Sequence, residues 1–201
     1  MAHGHGHGHG GEHDSEVSTH NKQIAILISV LALFLAIAET IGKSAQTAAL
    51  THNIEASDFW SFFQAKTIRK TMVETAAEQM ELDIQLAKDP VVKELLGKRV
   101  QTWRARAAVY ESEPKPTGGE GRKELRERAI HAQELSHEAM EKYHKLELAS
   151  AGFQIAIVLA SSYLITKVVF LLFASLGVGA IGILFMLVGV IAPKAHLFHI
   201  F

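Results

Sequence analysis

Two long apolar stretches dominate the pattern of hydrophobic and polar positions along the chain. Residues 24–38 contain no Asp, Glu, Lys or Arg, and residues 151–192 contain only one, Lys167. The hydrocarbon core of a bilayer is ~30 Å thick, and about 20 apolar helical residues are needed to cross it. The pattern therefore predicts one transmembrane helix over 22–42 and two more over 151–192, with a turn near Lys167.

The stretch between them, 43–150, is polar, and its apolar residues recur with the 3.6-residue period of a helix. Ser57 and Asp58 are residue types that cap helix N-termini, so we expect a helix to begin there. The Asp89-Pro90 pair predicts a break, because proline lacks a backbone donor and restricts the residue before it. The expected buried stripe of the helix before this break consists of Ala65, Ile68, Met72, Ala76, Met80, Ile84 and Ala87.

The second half of the polar stretch predicts a returning helix. Residues 111–121 contain two prolines and three glycines, which indicate a loop, and we expect it at the far tip of the insert. After the loop, small and apolar residues recur at the heptad spacing of a coiled coil, with no helix breaker before the next apolar stretch. We predict an all-α integral membrane protein with three transmembrane helices and a long extramembrane helical-hairpin, coiled-coil-like insert over 43–150. The heptad positions are Leu125, Ala129, Ala132, Ser136, Ala139, Tyr143 and Leu146.

The two ends of the chain are expected to lie outside this core. Residues 1–21 predict a flexible tail rich in His and Gly, and residues 193–201 a short amphipathic tail at the membrane interface. Neutral imidazoles bind zinc, nickel or copper, so the first tail is a candidate metal-binding segment; the alternative is an incidental low-complexity or tag sequence. Its candidate ligands are His3, His5, His7 and His9.

The composition narrows the function classes. The formal net charge of −1 gives no electrostatic case for nucleic acid as a partner. The chain has no cysteine, which excludes disulfides and thiolate metal sites. No motif of a nucleotide-binding loop, zinc protease or serine hydrolase is present, so we expect no enzyme activity and no cofactor. Membrane lipid is the expected partner.

One constellation on the returning helix resembles a metal site. Glu134 and His137, and again Glu141 and His144, have the Glu-x-x-His spacing that supplies two ligands per helix in di-iron bundles. A divalent metal is therefore possible there, with Glu74, Glu78 and Glu81 as ligands from the outgoing helix. However, the two repeats lie about 10 Å apart on one helix, too far apart to share one dinuclear centre. A solvated face of ion pairs is the alternative interpretation.

Glu39 is the acidic residue closest to an apolar stretch. An acid inside a membrane span is a candidate for an ion pathway. Because Glu39 follows the edge of the stretch rather than its centre, the alternative is an interfacial residue that reaches water or pairs with Lys43 at i+4.

Small residues at helical spacing predict close helix packing in each span, and three such seams favour a homo-oligomer. The dense aromatic residues near Trp60 predict either an anchor at the membrane surface or a packed core between helices or subunits, and we favour a core close to the membrane. The residues expected to mediate helix or subunit packing are Ala32, Ala36, Trp60, Phe63, Gly152, Ala156, Gly179 and Gly182.

Three stretches carry a resemblance to a known family: IAILISVLALFLAIAETIGKSAQT, NIEASDFWSFFQAKTIRKT with TAAEQMEL, and FQIAIVLASSYLITK. They resemble bacterial membrane proteins of the DUF4337 type, a domain of unknown function. The resemblance implies three crossings, a helical insert and a multi-pass location in the bacterial inner (cytoplasmic) membrane. It implies no activity.

The positions of Lys and Arg in short loops set the expected orientation. Lys22 and Lys167 favour a cytoplasmic N-terminus and a periplasmic insert, whereas Lys43, Lys142 and Lys145 argue the reverse. We expect a non-enzymatic, homo-oligomeric assembly or scaffold protein; the alternative is an oligomeric cation channel or transporter, with metals among its candidate ions.

Overall fold

The chain is all-α in the computed structural model, which describes residues 11–113 and 118–192. Its four helices are α1 (Gly11–Leu86), α2 (Pro90–Glu111), α3 (Arg122–Thr166) and α4 (Val169–Ile191). The helices divide into two compact units. We call Met1–Thr47 with Glu138–Phe201 the apolar unit, and Ala48–His137 the polar unit.

Three helical segments are long and apolar enough to cross a membrane: Asn21–Leu86, Arg122–Thr166 and Val169–Ile191. They contain the three predicted spans, and the break between the second and third falls at Lys167, as predicted. The returning helix also runs without interruption into the apolar stretch, because α3 is one helix of 45 residues.

Helix α1 is longer than expected at both ends of the first span. It begins at Gly11 and continues through Ser57 and Asp58, so the helix start predicted there is wrong. The physical reason is that Gly42 is the only glycine or proline in residues 12–89, and capping residue types do not end a helix without a breaker. The predicted break does occur at Asp89, whose carboxylate accepts a hydrogen bond from the Val91 N–H at 2.8 Å and caps α2.

In the apolar unit, α1 and α3 bury two clusters of apolar residues. The Phe153 ring of α3 stacks on the Phe34 ring of α1, with ring centroids 5.9 Å apart. The buried residues around this pair are Leu31, Ala38, Ala149 and Ala156. A tight turn joins α3 to α4. Lys167 adopts a left-handed backbone with φ 58°, and α4 starts with Val168 as its N-cap residue and no side-chain cap.

In the polar unit, α2 folds back along the end of α1. Ion pairs join Arg104 to Glu81 and Glu111 to Lys70, so the two helices run antiparallel from the turn before Pro90. Helix α3 then runs antiparallel to an earlier part of α1: the Arg122 guanidinium donates to Thr67, and the Ser136 hydroxyl donates to the Ala49 carbonyl.

This arrangement differs from the expected single hairpin. Residues 112–113 and 118–121 form the loop, but they lie beside Lys66 and Thr67, about five turns before the end of α1, and the turn before Pro90 follows that end. The predicted buried stripe is also wrong in part: Ile68 and Met72 are exposed, while Ala56 and Ala77 are buried. The reason is that α2 and α3 cover the opposite side of α1.

Candidate functional site

The small residues of α3 and α4 pack against each other. A Cβ atom added to Gly152 would lie 3.4 Å from the Gly182 Cα, so the backbones of the two helices are close at this point. The buried Ser175 hydroxyl donates to the Ala156 carbonyl at 2.7 Å. A Cβ atom at Gly179 would lie 3.1 Å from a side-chain carbon of Leu31 on α1. Four residues predicted to mediate helix or subunit packing are thus used within the chain.

The small residues of α1 are arranged differently. Ala25, Ser29, Ala32 and Ala36 are all exposed, and at 100° per residue they fall within an arc of about 60°. We call these four residues the α1 stripe. The Ser29 hydroxyl donates to the Ala25 carbonyl at 2.9 Å, so the stripe presents no unsatisfied donor. Large apolar residues occupy the rest of the exposed face: Ile26, Val30, Leu33 and Ile37.

The aromatic residues near Trp60 belong to the polar unit. Trp60 and Phe63 are half-buried and make an edge-to-face contact with ring centroids 5.5 Å apart. The Arg122 guanidinium lies 5.0 Å from the centroid of the Phe63 ring, within cation–π range. The aromatic residues therefore help to join α3 to α1 inside the polar unit.

Glu39 lines a small pocket between α1 and α3, which we call the Glu39 crevice. Its volume is about 200 Å³. The Glu39 carboxylate accepts a hydrogen bond from the Gln154 amide at 3.4 Å, and among the described residues it makes no ion pair with Lys43. The other lining residues are Ala38, Gly42, Lys43, Gln46, Tyr143, Leu146, Glu147 and Ser150.

The Glu147 carboxylate of the crevice has a hydrogen-bond partner, whereas the Lys43 ammonium has none among the described residues. The Tyr143 hydroxyl donates to the Glu147 carboxylate at 3.1 Å, and this hydrogen bond raises the pKa of Tyr143. The other oxygen of this carboxylate lies 3.6 Å from the His144 Nδ1. The Lys43 side chain makes no hydrogen bond or ion pair with any residue in 21–113 or 118–192. The crevice thus combines two carboxylates with one unpaired ammonium group.

The predicted metal-ligating residues lie on the solvent side of α3. Glu134, His137 and His144 are exposed, while Glu141 is half-buried and pairs with Lys145 at 3.8 Å. Among the residues whose side chains are described, no group of three or more His, Asp or Glu is arranged to hold a metal ion. His3, His5, His7 and His9 lie outside the described residues, so metal binding by the tail stays a prediction.

The glutamates considered as further metal ligands on the outgoing helix face α2. Glu74 pairs with Lys70 at 3.6 Å and Glu81 pairs with Arg104. Glu78 lines a pocket of about 430 Å³ between the two helices. Within the polar unit, the partners of Glu74 and Glu81 are therefore cations of α1 and α2.

Sequence reasoning missed a network of charges that joins the three helices of the polar unit. The Glu111 carboxylate accepts from Lys70 at 2.9 Å and from Arg122 at 2.7 Å. The hydrogen bond between Lys70 and Glu111 lowers the pKa of Glu111 and raises that of Lys70. The partners come from different helices, so no periodic signal in the sequence could have identified them.

A second carboxylate holds the loop before α3. Glu124 accepts from the Ser112 hydroxyl at 2.6 Å and from the Glu113 backbone N–H at 3.2 Å, and the Ser112 bond lowers the pKa of Glu124. A Cβ atom at Gly121 would lie 2.4 Å from the Glu113 nitrogen, so only glycine fits at this position. The loop is therefore fixed against the start of α3 by specific contacts.

Comparisons with known proteins identify a family and no activity. No curated protein and no solved structure matches the chain. The profile of one family matches residues 20–192, which covers all three apolar segments and the polar unit. The family is described as a domain of unknown function, in agreement with the resemblance seen in the sequence. This protein therefore belongs to the DUF4337 family.

Proposed function

We propose that the protein is a non-enzymatic scaffold of the bacterial inner membrane, which self-associates through the α1 stripe. The observation that supports this proposal is that the α1 stripe is exposed, whereas the small residues of α3 and α4 are covered within the chain. Small residues let helix backbones approach closely in lipid, where packing rather than the hydrophobic effect drives association. Two copies of α1 can pack along this stripe without displacing any intrachain contact.

Cysteine cross-linking tests the interface directly, because the chain has no cysteine of its own. Ala32→Cys places one thiol on the α1 stripe, and Leu33→Cys places a matched thiol on the neighbouring large-residue face at almost the same depth. We expect oxidation in native membranes to give a disulfide dimer with Ala32→Cys, since the two thiols face each other across a close contact.

The control variant Leu33→Cys should stay monomeric under the same conditions. Equal cross-linking of the two variants would indicate random collisions, and no cross-linking of Ala32→Cys would refute the stripe as the interface. Native mass spectrometry of the unmodified protein in nanodiscs gives an independent subunit number.

The same proposal includes an orientation with the N-terminus in the cytoplasm and the polar unit in the periplasm. The Lys167 ammonium donates to the Asn21 side-chain carbonyl at 2.7 Å, which supports the expectation that Lys22 and Lys167 lie on one side of the membrane. A thiol in Lys22→Cys should react with a membrane-impermeant maleimide only after the cells are opened. Labelling of Lys22→Cys in intact spheroplasts would show that the N-terminus lies outside the cytoplasm and would refute the proposed orientation.

A cation channel or transporter is the second candidate function. The observation that favours it is that the Glu39 carboxylate, next to the first apolar span, has an amide partner and no cation partner among the described residues. We expect this function to give cation flux into liposomes that Glu39→Gln abolishes. Absence of flux for several monovalent and divalent cations would exclude this candidate.

A further inference from the structure

The Glu39 crevice lies where all three apolar segments end. Glu39 is the first charged residue after the apolar run of α1, and Glu147 is the last one before the apolar run of α3. The end of α4 reaches the same level, because a Cβ atom at Gly189 would lie 3.1 Å from the Lys145 Cβ and 3.4 Å from the Leu146 Cγ. In the membrane placement proposed above, on which this inference rests, the crevice is at the depth of the lipid headgroups.

We infer that the Glu39 crevice binds the headgroup of a phospholipid that carries a primary ammonium. Glu39 and Glu147 accept hydrogen bonds from the ammonium, and Lys43 donates to the phosphate. The crevice has the charges for this ligand, because its two carboxylates supply acceptors and its unpaired lysine supplies a donor. The ligand is a zwitterion whose positive and negative groups match the two signs of charge in the crevice.

The walls of the crevice suit a lipid. Its floor is apolar, since Ala38 and Leu146 are buried. On α3, Gln154 and Val158 lie seven and eleven residues after Glu147, so they share its helical face. Val158 is 62% exposed, which leaves an apolar track for the acyl chains toward the membrane interior.

Other ligands fit the crevice less well. A zinc-type metal site would need at least three His, Asp or Glu ligands, and the described side chains form no such group. A quaternary ammonium has no N–H to donate to the two carboxylates. An anionic headgroup without an ammonium would face two carboxylates and only one lysine.

Native mass spectrometry of the full-length protein with added lipid tests the inference. The probes are phosphatidylethanolamine, phosphatidylcholine and phosphatidylglycerol, each with the same acyl chains. We expect phosphatidylethanolamine to be retained about tenfold more than the other two, which corresponds to one charged hydrogen bond. Equal retention of phosphatidylcholine would overturn the inference, because only the N–H donors differ.

Variants place the bound lipid in the crevice. Glu39→Gln and Glu147→Gln should each reduce the retention of phosphatidylethanolamine about tenfold, and Lys43→Gln should reduce it as well. The matched control is Glu134→Gln, the same change on the exposed surface of α3 more than three turns away. Unchanged retention in Glu39→Gln and Glu147→Gln would overturn the site. Displacement by soluble phosphoethanolamine at equal concentration would overturn the lipid as its ligand, since the acyl chains then contribute nothing.

The inference and the proposed self-association can fail separately. Subunit number and lipid occupancy are read from different mass differences in one spectrum. A monomer that retains phosphatidylethanolamine would refute the scaffold proposal and support the crevice. A dimer without lipid selectivity would support the scaffold proposal and refute the crevice as a lipid site.

Discussion

The charge network at Glu111 predicts a measurable loss of stability in the polar unit of the Glu111→Gln variant. The Glu111 carboxylate bridges Lys70 and Arg122 at 2.9 and 2.7 Å, and its side chain is 32% exposed. Hydrogen bonds to charged groups contribute about 1.5–3 kcal/mol when shielded, whereas exposed ion pairs contribute about 0–1 kcal/mol. Because this group is partly exposed, we expect the variant to lose about 1–2 kcal/mol.

Hydrogen exchange measured by mass spectrometry on the full-length protein reports this loss locally. A loss of about 1–2 kcal/mol corresponds to exchange about 5–30-fold faster for the amides at the end of α2 and the start of α3. Glu94→Gln is the matched control: it removes a carboxylate from the other end of α2, where the pair with Lys98 is 69–71% exposed. The control should accelerate exchange by no more than about twofold.

The pH dependence has a defined sign. The hydrogen bond from Lys70 lowers the pKa of Glu111 in the folded protein, so the folded state favours the charged form. The stabilisation is therefore present above the ordinary glutamate pKa of about 4.3 and is lost as the pH falls through the lowered value. After correction for intrinsic exchange rates, the difference between wild type and Glu111→Gln should be full at neutral pH and disappear in acid. Equal effects of Glu111→Gln and Glu94→Gln, or a difference that persists in strong acid, would refute this reasoning.

Three further predictions use thermal unfolding in detergent, two of them with a glycine control. Gly121→Ala should destabilise the protein by more than about 1 kcal/mol, because its Cβ would meet backbone atoms at 2.4 and 2.6 Å, whereas Gly97→Ala in open space should be neutral or stabilise by up to about 1 kcal/mol. If Gly97→Ala were the more harmful change, the loop contacts would be unimportant. Gly182→Leu should separate α3 from α4 and lower the unfolding temperature. Gly177→Leu is its control, because no atom lies within 4 Å of a Cβ at Gly177, and equal effects of the two changes would contradict the close packing. Lys167→Gly should relieve about 1 kcal/mol of left-handed backbone strain but lose one side-chain hydrogen bond, giving a net change within about 1 kcal/mol; a larger loss would show that the side chain holds the turn.

The apolar segments could be predicted from the sequence because length and composition alone determine whether a helix can cross a bilayer. Lys167 marked the α3–α4 turn for the same reason, since it is the single charge in 151–192. Proline chemistry placed the break at Asp89 correctly. These signals are local, so they survive without knowledge of the tertiary structure.

The direction of α2 and the partners of the small residues could not be predicted. The Asp89-Pro90 break does not say whether α2 continues outward or folds back, and that choice depends on pairs such as Arg104 with Glu81. Periodicity showed that Gly152 and Ala32 lie in seams, but a seam looks the same whether its partner belongs to the same chain or to another. Burial distinguishes them, since Gly182 covers Gly152 while Ala32 is exposed.

The start of α4 sets a limit on how deeply the α3–α4 turn can lie. Val168 supplies no side-chain acceptor, and only the Leu171 N–H finds a carbonyl, that of Val168 at 3.0 Å, so the Val169 and Phe170 N–H groups have no partner among the described residues. Hydrocarbon offers no hydrogen bonds, and each unsatisfied donor there costs several kcal/mol. If α4 crosses a bilayer, water or lipid phosphate must satisfy these groups, and the turn must lie at the hydrated surface. The 23 residues of α4, about 34 Å at 1.5 Å per residue, would then cross a hydrocarbon core ~30 Å thick at any tilt up to about 30°.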